Sequence, residues 1–181
     1  TTQFGKKDQF QYIQINAQLS DLIRREAGST GETLFQRKAM TTHYFSWNIA
    51  KWINIGFFEN TIWQTETSTG TKPFQWQQLN PIFGINALTT STDNNNSNVG
   101  LNTKIKLPFK LVLYEQFVFN TQENSKTNGY QLGLKYFGIP FVTLQGEFNN
   151  MSKTARPTNS DLQEIHHYNE WLAHPFGNDF H

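Results

Sequence analysis

The sequence predicts an all-β protein: an antiparallel transmembrane β-barrel of the outer-membrane type, with about eight strands present here as part of a larger barrel. Three observations carry that expectation. Long runs alternate strictly between apolar and polar residues, short turns trade places with long polar loops, and aromatics gather near the ends of the runs.

The clearest alternation brackets Gly138-Ile139-Pro140. On one side Tyr130, Leu132, Leu134 and Tyr136 alternate with Gln131, Gly133, Lys135 and Phe137. On the other, Val142, Leu144, Gly146 and Phe148 alternate with Thr143, Gln145, Glu147 and Asn149. A period of two marks a strand with one apolar and one polar face. The runs approach the roughly 9–11 residues that a tilted strand needs to cross a bilayer. Their aromatics fall where a membrane–water interface favours them. The pair is expected to form a hairpin whose polar face lines a wet lumen.

Composition agrees with this class and excludes others. Charged residues make up 16% of the 181 and aromatics 15%, against a usual charged share of about a quarter. Mean hydropathy is −0.59, which is no argument against a barrel, since every second strand residue is polar. No run of about 18 apolar residues exists, so no transmembrane helix is expected. Net charge is +1, with 15 basic and 14 acidic residues scattered along the chain; nucleic acid is not an expected partner. There is no cysteine, which removes disulfides, thiolate metal sites and cysteine nucleophiles. The chain opens Thr1-Thr2-Gln3 without a signal-peptide pattern, so for an exported protein a processed or internal stretch is expected.

Taken in order, strands are expected near residues 10–20, 33–49, 53–63, 81–88, 98–107, 110–120, 129–137 and 141–150. Ile13, Ile15, Ala17 and Leu19 set the first. His43, Phe45, Trp47 and Ile49 share a face of the second. In the third, Ile53, Ile55 and Phe57 alternate with Asn54 and Gly56, and adjacent Phe57 and Phe58 point to a bulge. The fourth rests on Ile82, Gly84, Asn86 and Leu88. Val99, Leu101, Thr103 and Ile105 set the fifth; in the sixth, Glu115 falls on the more apolar side.

Short reversals fall at 50–52, 107–109 and 138–140, and the other connections are mostly long and rich in Thr, Asn, Ser and Gly. Short periplasmic turns and long extracellular loops are the barrel pattern. That parity fails between 64 and 97: either a further strand lies around 73–79, or, as preferred here, that proline-bearing piece sits at the rim or inside the lumen. Residues 151–181 are expected to form an extracellular loop or tail.

Catalytic signals are absent. No Gly-x-Ser-x-Gly, HExxH or glycine-rich phosphate loop occurs, so a non-enzymatic protein without cofactor is expected. His166, His167 and His174 meet no standard metal spacing and read as loop histidines. Tyr168, Trp171 and His174 are the candidate ligand-binding residues, because flat rings with polar tips suit sugar stacking. The competing reading of each is interface anchoring or loop packing. Trp47, Trp52 and Trp63 read as aromatic girdle residues, and Glu147 and Lys135 as an ion pair across the hairpin.

The tail His167-Tyr-Asn-Glu-Trp-Leu-Ala-His-Pro-Phe-Gly-Asn-Asp-Phe180 resembles a segment of the Bacteroidetes outer-membrane family related to the capsule-assembly protein Wzi, which includes RemB-type gliding-associated members. Thr42-His43-Tyr44, Asn54-Ile-Gly-Phe-Phe-Glu-Asn60, Leu79-Asn-Pro-Ile82, Leu134-Lys-Tyr-Phe137 and Leu144-Gln-Gly-Glu-Phe-Asn149 are similar to that family in the same order, over roughly residues 40–181. The resemblance implies an outer-membrane barrel that attaches or assembles surface polysaccharide, or serves gliding-associated adhesion. Expected partners are the lipid bilayer of the outer membrane, surface polysaccharide and other outer-membrane subunits. A transport or diffusion barrel, or a structural subunit of a larger complex, is the alternative. Family members continue with further strands after the tail segment, so an internal fragment is expected.

Overall fold

The alternating runs fold into one antiparallel sheet. The structure, a computed structural model, describes residues 1–5, 9–21, 36–67, 70–71, 80–86, 95–121, 128–151, 166–167 and 170–171. Eight strands form the main sheet: β1 (Thr2–Phe4), β2 (Phe10–Asp21), β3 (Gln36–Ala50), β4 (Ile53–Gln64), β7 (Asn95–Leu107), β8 (Leu111–Asn120), β9 (Asn128–Tyr136) and β10 (Leu144–Met151). Each pairs with the strand before and after it in this order, always antiparallel. Two small ladders stand apart: β5 (Glu66–Thr67) with β6 (Gly70–Thr71), and β11 (His166–His167) with β12 (Glu170–Trp171). β1 and β10 are the free edges, so the sheet is all-β and antiparallel but not closed.

The connections divide by end. At one end the chain reverses at 5–9, at Lys51-Trp52, at 108–110 and at 137–143; at the other end 22–35 and 65–94 are longer, and 121–127 equals 137–143 in length. Phe109 and Lys110 both take left-handed φ, 62° and 58°, which turns the chain between β7 and β8 without a glycine. Such a conformation is strained for residues with a Cβ.

Registered cross-strand partners point to the same side, so the pairing sorts the sheet into two faces. One carries Tyr12, Phe45, Phe57, Leu101, Phe117 and Tyr130 in a single row. The next row on that face is Phe10, Trp47, Ile55, Thr103, Glu115, Leu132 and Phe148. The opposite face carries Asn48, Asn54, Lys104, Tyr114, Gly133 and Glu147 in one row, and Ser46, Gly56, Asn102, Gln116, Gln131 and Asn149 in the next. The first is called the Phe57 face below, and the second the Glu147 face. Glu115 does sit on the apolar side, and no contact among the described residues accounts for its charge there.

Burial is inverted relative to an ordinary core. Among the described residues the buried apolar side chains are Leu19, Ile62 and Trp63, all towards the long-loop end. Lys38, Thr41, His43, Glu59 and Thr61 are fully buried, whereas Phe57, Phe117, Phe119, Tyr130, Leu132, Leu134, Leu144 and Phe148 are exposed. Single exposed apolar residues are ordinary, but a contiguous patch of them marks an interaction surface.

Three sequence expectations need correction. Residues 81–88 are not a strand over their described part. The Asn80 Oδ1 accepts the Ile82 N–H at 3.0 Å, a side-chain-closed turn that Asn-Pro favours. Gly84 then takes φ +87° and a helical turn begins at Ile85-Asn86. The expected bulge at Phe57/Phe58 is absent, because both flanking ladders run through these residues in register. The bulge lies instead at Asn48/Ala50. Phe58 breaks the alternation for another reason: its ring covers Gly100, where a Cβ would collide with it. Tyr44 covers Gly56 and Tyr114 covers Gly133 in the same way, all on the Glu147 face; such ring-over-glycine pairs fix register. Finally, the β9–β10 connection spans 137–143 rather than 138–140. The Ile139 carbonyl accepts the Val142 N–H at 3.2 Å, and Phe141 has φ 63°. Pro140 followed by a left-handed residue is a type II turn, so pairing resumes only at Leu144↔Tyr136.

Candidate functional site

The buried polar cluster begins with β-register alone. Asn16, Thr41, Thr61 and Ser97 stand side by side across β2, β3, β4 and β7, and Gln14, His43, Glu59 and Val99 form the next row towards the short turns. Thr41 Oγ1 donates to Asn16 Oδ1 at 2.9 Å, and the hydroxyls of Thr61 and Ser97 are 2.9 Å apart. Each such bond contributes about 1 kcal/mol net, and leaving one partner unmet in a buried site costs about 1–3 kcal/mol.

Residues 80–86 lie over this part of the Phe57 face. The Gly84 N–H donates to Glu59 Oε2 at 2.7 Å, and the Tyr12 O–H donates to the Pro81 carbonyl at 2.6 Å. Tyr12 Oη is also 3.1 Å from His43 Nδ1, and the two rings meet edge to face at 6.0 Å. His43 and Glu59 are directly registered and fully buried. His43 Nε2 has no hydrogen-bond partner among the described residues. A Tyr–His–Glu constellation can serve acid–base chemistry. Here the tyrosine and the carboxylate are committed to holding backbone, so the arrangement works as a clasp. Of the proline-bearing piece expected at the rim or in the lumen, Asn80 and Pro81 are described, and Pro81 lies on the Phe57 face, opposite Glu147. Pieces quoted above for the family resemblance (His43, Glu59, Pro81) converge in this clasp.

The Glu147 face carries a second polar assembly. Glu147 Oε1 accepts from Gln131 at 2.6 Å and Asn149 at 2.9 Å; Oε2 accepts from the Tyr114 O–H at 2.6 Å and Gln145 at 3.1 Å. The Gln145 amide also donates to Tyr114 Oη at 2.8 Å. Four neutral donors thus surround the carboxylate. The expected Glu147–Lys135 ion pair does not form: Glu147 registers with Gly133 and Lys135 with Gln145, and the Lys135 ammonium sits 5.3 Å above the Tyr114 ring instead. Higher on this face, Asn60 Nδ2 donates to Thr42 Oγ1 at 3.1 Å, and Asn120 Nδ2 donates to Asn96 and Asn98 at 2.6 and 3.1 Å. The buried amide oxygens of Asn60 and Asn102 have no donor among the described residues, so this face offers acceptors to water or to a hydroxylated ligand.

Aromatics on the Phe57 face form two groups. Phe4, Phe10, Phe45 and Trp47 stack towards the short turns, with neighbouring centroids 5.3–5.9 Å apart. Phe117, Tyr130 and Phe148 follow one another at 6.4 and 5.9 Å on β8–β10. Trp47 and Trp52 are exposed, as girdle residues are; Trp63 is instead buried.

Of the sugar-platform candidates, Tyr168 and His174 lie outside the described residues. Trp171 belongs to β12, where its backbone pairs with His166, and β11 comes within 8 Å of β2 by Cα distance. Sequence reasoning missed the clasp because its members are spread from residue 12 to residue 84. The available signal was His43 and Glu59 appearing as polar residues within otherwise apolar face positions. Among the described residues no cluster of His, Asp and Glu could hold a metal ion, and no helix is long and apolar enough to cross a membrane. Comparison with family models, with curated proteins and with solved structures returns no match.

Proposed function

We propose that this chain is part of the wall of an outer-membrane β-barrel that attaches or assembles surface polysaccharide, or serves gliding-associated adhesion, without catalytic chemistry of its own. One observation carries the membrane part: across β8–β10 the Phe57 face is largely apolar apart from Glu115, with Phe117, Phe119, Tyr130, Leu132, Leu134, Leu144 and Phe148 exposed, while the opposite face is an amide and carboxylate network. A bilayer accepts the first and excludes the second. The short-turn end then faces the periplasm, and the long connections face outwards.

The polar clasp fits this reading. β3 has 15 residues, more than the roughly 9–11 a tilted crossing needs. That surplus of about 4–6 residues is the Gln36 end of the strand; His43 and Glu59 fall within the crossing length, where residues 80–86 cover this part of the Phe57 face. The polysaccharide part rests on the ordered family motifs and on the amide-rich face, whose Asn and Gln side chains are suited to sugar hydroxyls. Floating the full chain with phospholipid vesicles tests the wall. The chain is expected to rise with the lipid and resist carbonate extraction, and a chain that stays in the aqueous fraction refutes it. Capsular polysaccharide retained on the intact protein tests the ligand. A steady aqueous conductance in planar bilayers, with no polysaccharide retained, would favour the diffusion barrel.

A further inference from the structure

The short-turn end of the Glu147 face holds a pocket that the polysaccharide reading does not use. Asn48, Ala50, Lys51, Trp52, Ile53, Asn54, Lys104 and Lys106 line it, around a hollow of about 50 Å³ that opens to solvent. Local structure explains the hollow. The bulge at Asn48/Ala50 shifts the β3 register just before the Lys51-Trp52 reversal, and the Lys106 N–H is fixed to the Trp52 carbonyl at 2.7 Å. Asn54 Nδ2 donates to Ser46 Oγ at 2.8 Å and Asn48 Oδ1 at 2.9 Å, which holds the floor.

The lining contains three lysines and no acid. None of the three ammonium groups has a hydrogen bond or ion pair among the described residues. Glu147 shares a register row with Lys104, but Tyr114 and Gly133 stand between them, and its oxygens are taken by the four donors named above. Three uncompensated ammonium groups around one hollow attract an anion carrying more than one charge or several acceptor oxygens. Lysine serves such anions as a mobile point charge. We infer that this pocket binds a phosphate group, supplied by a phospholipid headgroup or by a free phosphate. Trp52, 56% exposed at its edge, gives the headgroup source an apolar ring at the membrane interface. The site does not depend on the polysaccharide assignment.

The test is titration of the full chain, held in neutral detergent, with inorganic phosphate, followed by titration in the same detergent with water-soluble short-chain phosphatidylglycerol and phosphatidylcholine. Lys104 and Lys106 are exposed, so Lys104→Gln/Lys106→Gln leaves the fold intact, as far-ultraviolet circular dichroism will check. Each lysine removed is expected to weaken binding about fivefold, and both about 25-fold. Lys135→Gln, on the same face outside the pocket, is expected to change it less than about twofold. Lys104→Arg/Lys106→Arg keeps the charge and is expected to retain binding. Phosphate binding with this lysine dependence identifies the phosphate group itself. Binding of short-chain phosphatidylglycerol over phosphatidylcholine, with the same dependence and no free-phosphate binding, identifies the headgroup. Equal binding by wild type and the double Gln variant, or no binding of either probe, overturns the inference.

Discussion

Gly133 and Gly146 offer a matched pair of substitutions on adjacent strands. A Cβ at Gly133 would run into the Tyr114 ring, whereas one at Gly146 meets nothing within 4 Å. Gly133→Ala therefore overpacks a close contact, at a cost of about 1–3 kcal/mol. It also pushes the Tyr114 hydroxyl off Glu147, a 2.6 Å bond that adds about 0.5–1 kcal/mol in this exposed setting. Gly146→Ala adds no clash and restricts the unfolded chain, so it is expected to stabilise by about 0.4–1 kcal/mol. The two variants should move in opposite directions, with a total spread of about 2–5 kcal/mol. Equilibrium urea unfolding of the chain in detergent micelles reads the difference as a shift in midpoint. Tyr114→Ala supplies the internal check: with the ring gone, the methyl group introduced by Gly133→Ala has nothing to strike, and its penalty should largely vanish in the double variant. Equal shifts for Gly133→Ala and Gly146→Ala, or an undiminished penalty in the Tyr114→Ala background, would refute the ring-over-glycine account.

Three further substitutions probe the clasp, the buried row and the apolar face. Glu59→Leu removes the acceptor of the Gly84 N–H and is expected to cost about 1.5–3 kcal/mol; faster hydrogen exchange at the Gly84 amide is the direct readout. Thr61→Val keeps the shape but leaves the buried Ser97 hydroxyl without this partner. A loss of about 1–2 kcal/mol should appear in the same urea experiment. Leu132→Arg and Gln131→Arg are adjacent in sequence but on opposite faces. In vesicles the first should cost about 2–4 kcal/mol and the second well under about 1, with folded yield and denaturant midpoint as measures.

The strands were legible wherever one face is consistently apolar. Tyr130 to Tyr136 and Val99 to Ile105 alternate cleanly because a single environment faces each side of the sheet. Legibility failed where local turn chemistry imitated the same period. Ile82, Gly84, Asn86 and Leu88 alternate, yet the Asn80 side chain closes a turn and Gly84 is left-handed. Phe141, Val142 and Thr143 continue the β10 pattern, yet Pro140 commits them to the turn. Phe57-Phe58 looked like a defect because the covered partner of Phe58, Gly100, lies on another strand. The clasp was missed for a related reason: His43 and Glu59 stood out as polar residues in their runs, but Tyr12, His43, Glu59 and Gly84 meet only through register across three strands. The aromatic tail that drew the site prediction lies mostly outside the described residues, and its Trp171 is placed only as a backbone partner of His166.

The central claim is that one face of β9 looks into lipid and the other into water. With no native cysteine in the chain, single nitroxide labels can be placed at each position from 130 to 136 in bilayers. Collision rates with oxygen, which partitions into lipid, are expected to peak at 130, 132, 134 and 136. Collisions with a water-soluble nickel chelate should peak at 131, 133 and 135. A period of two with the two reagents out of phase supports the membrane wall. High nickel accessibility on both faces, or none on either, contradicts it.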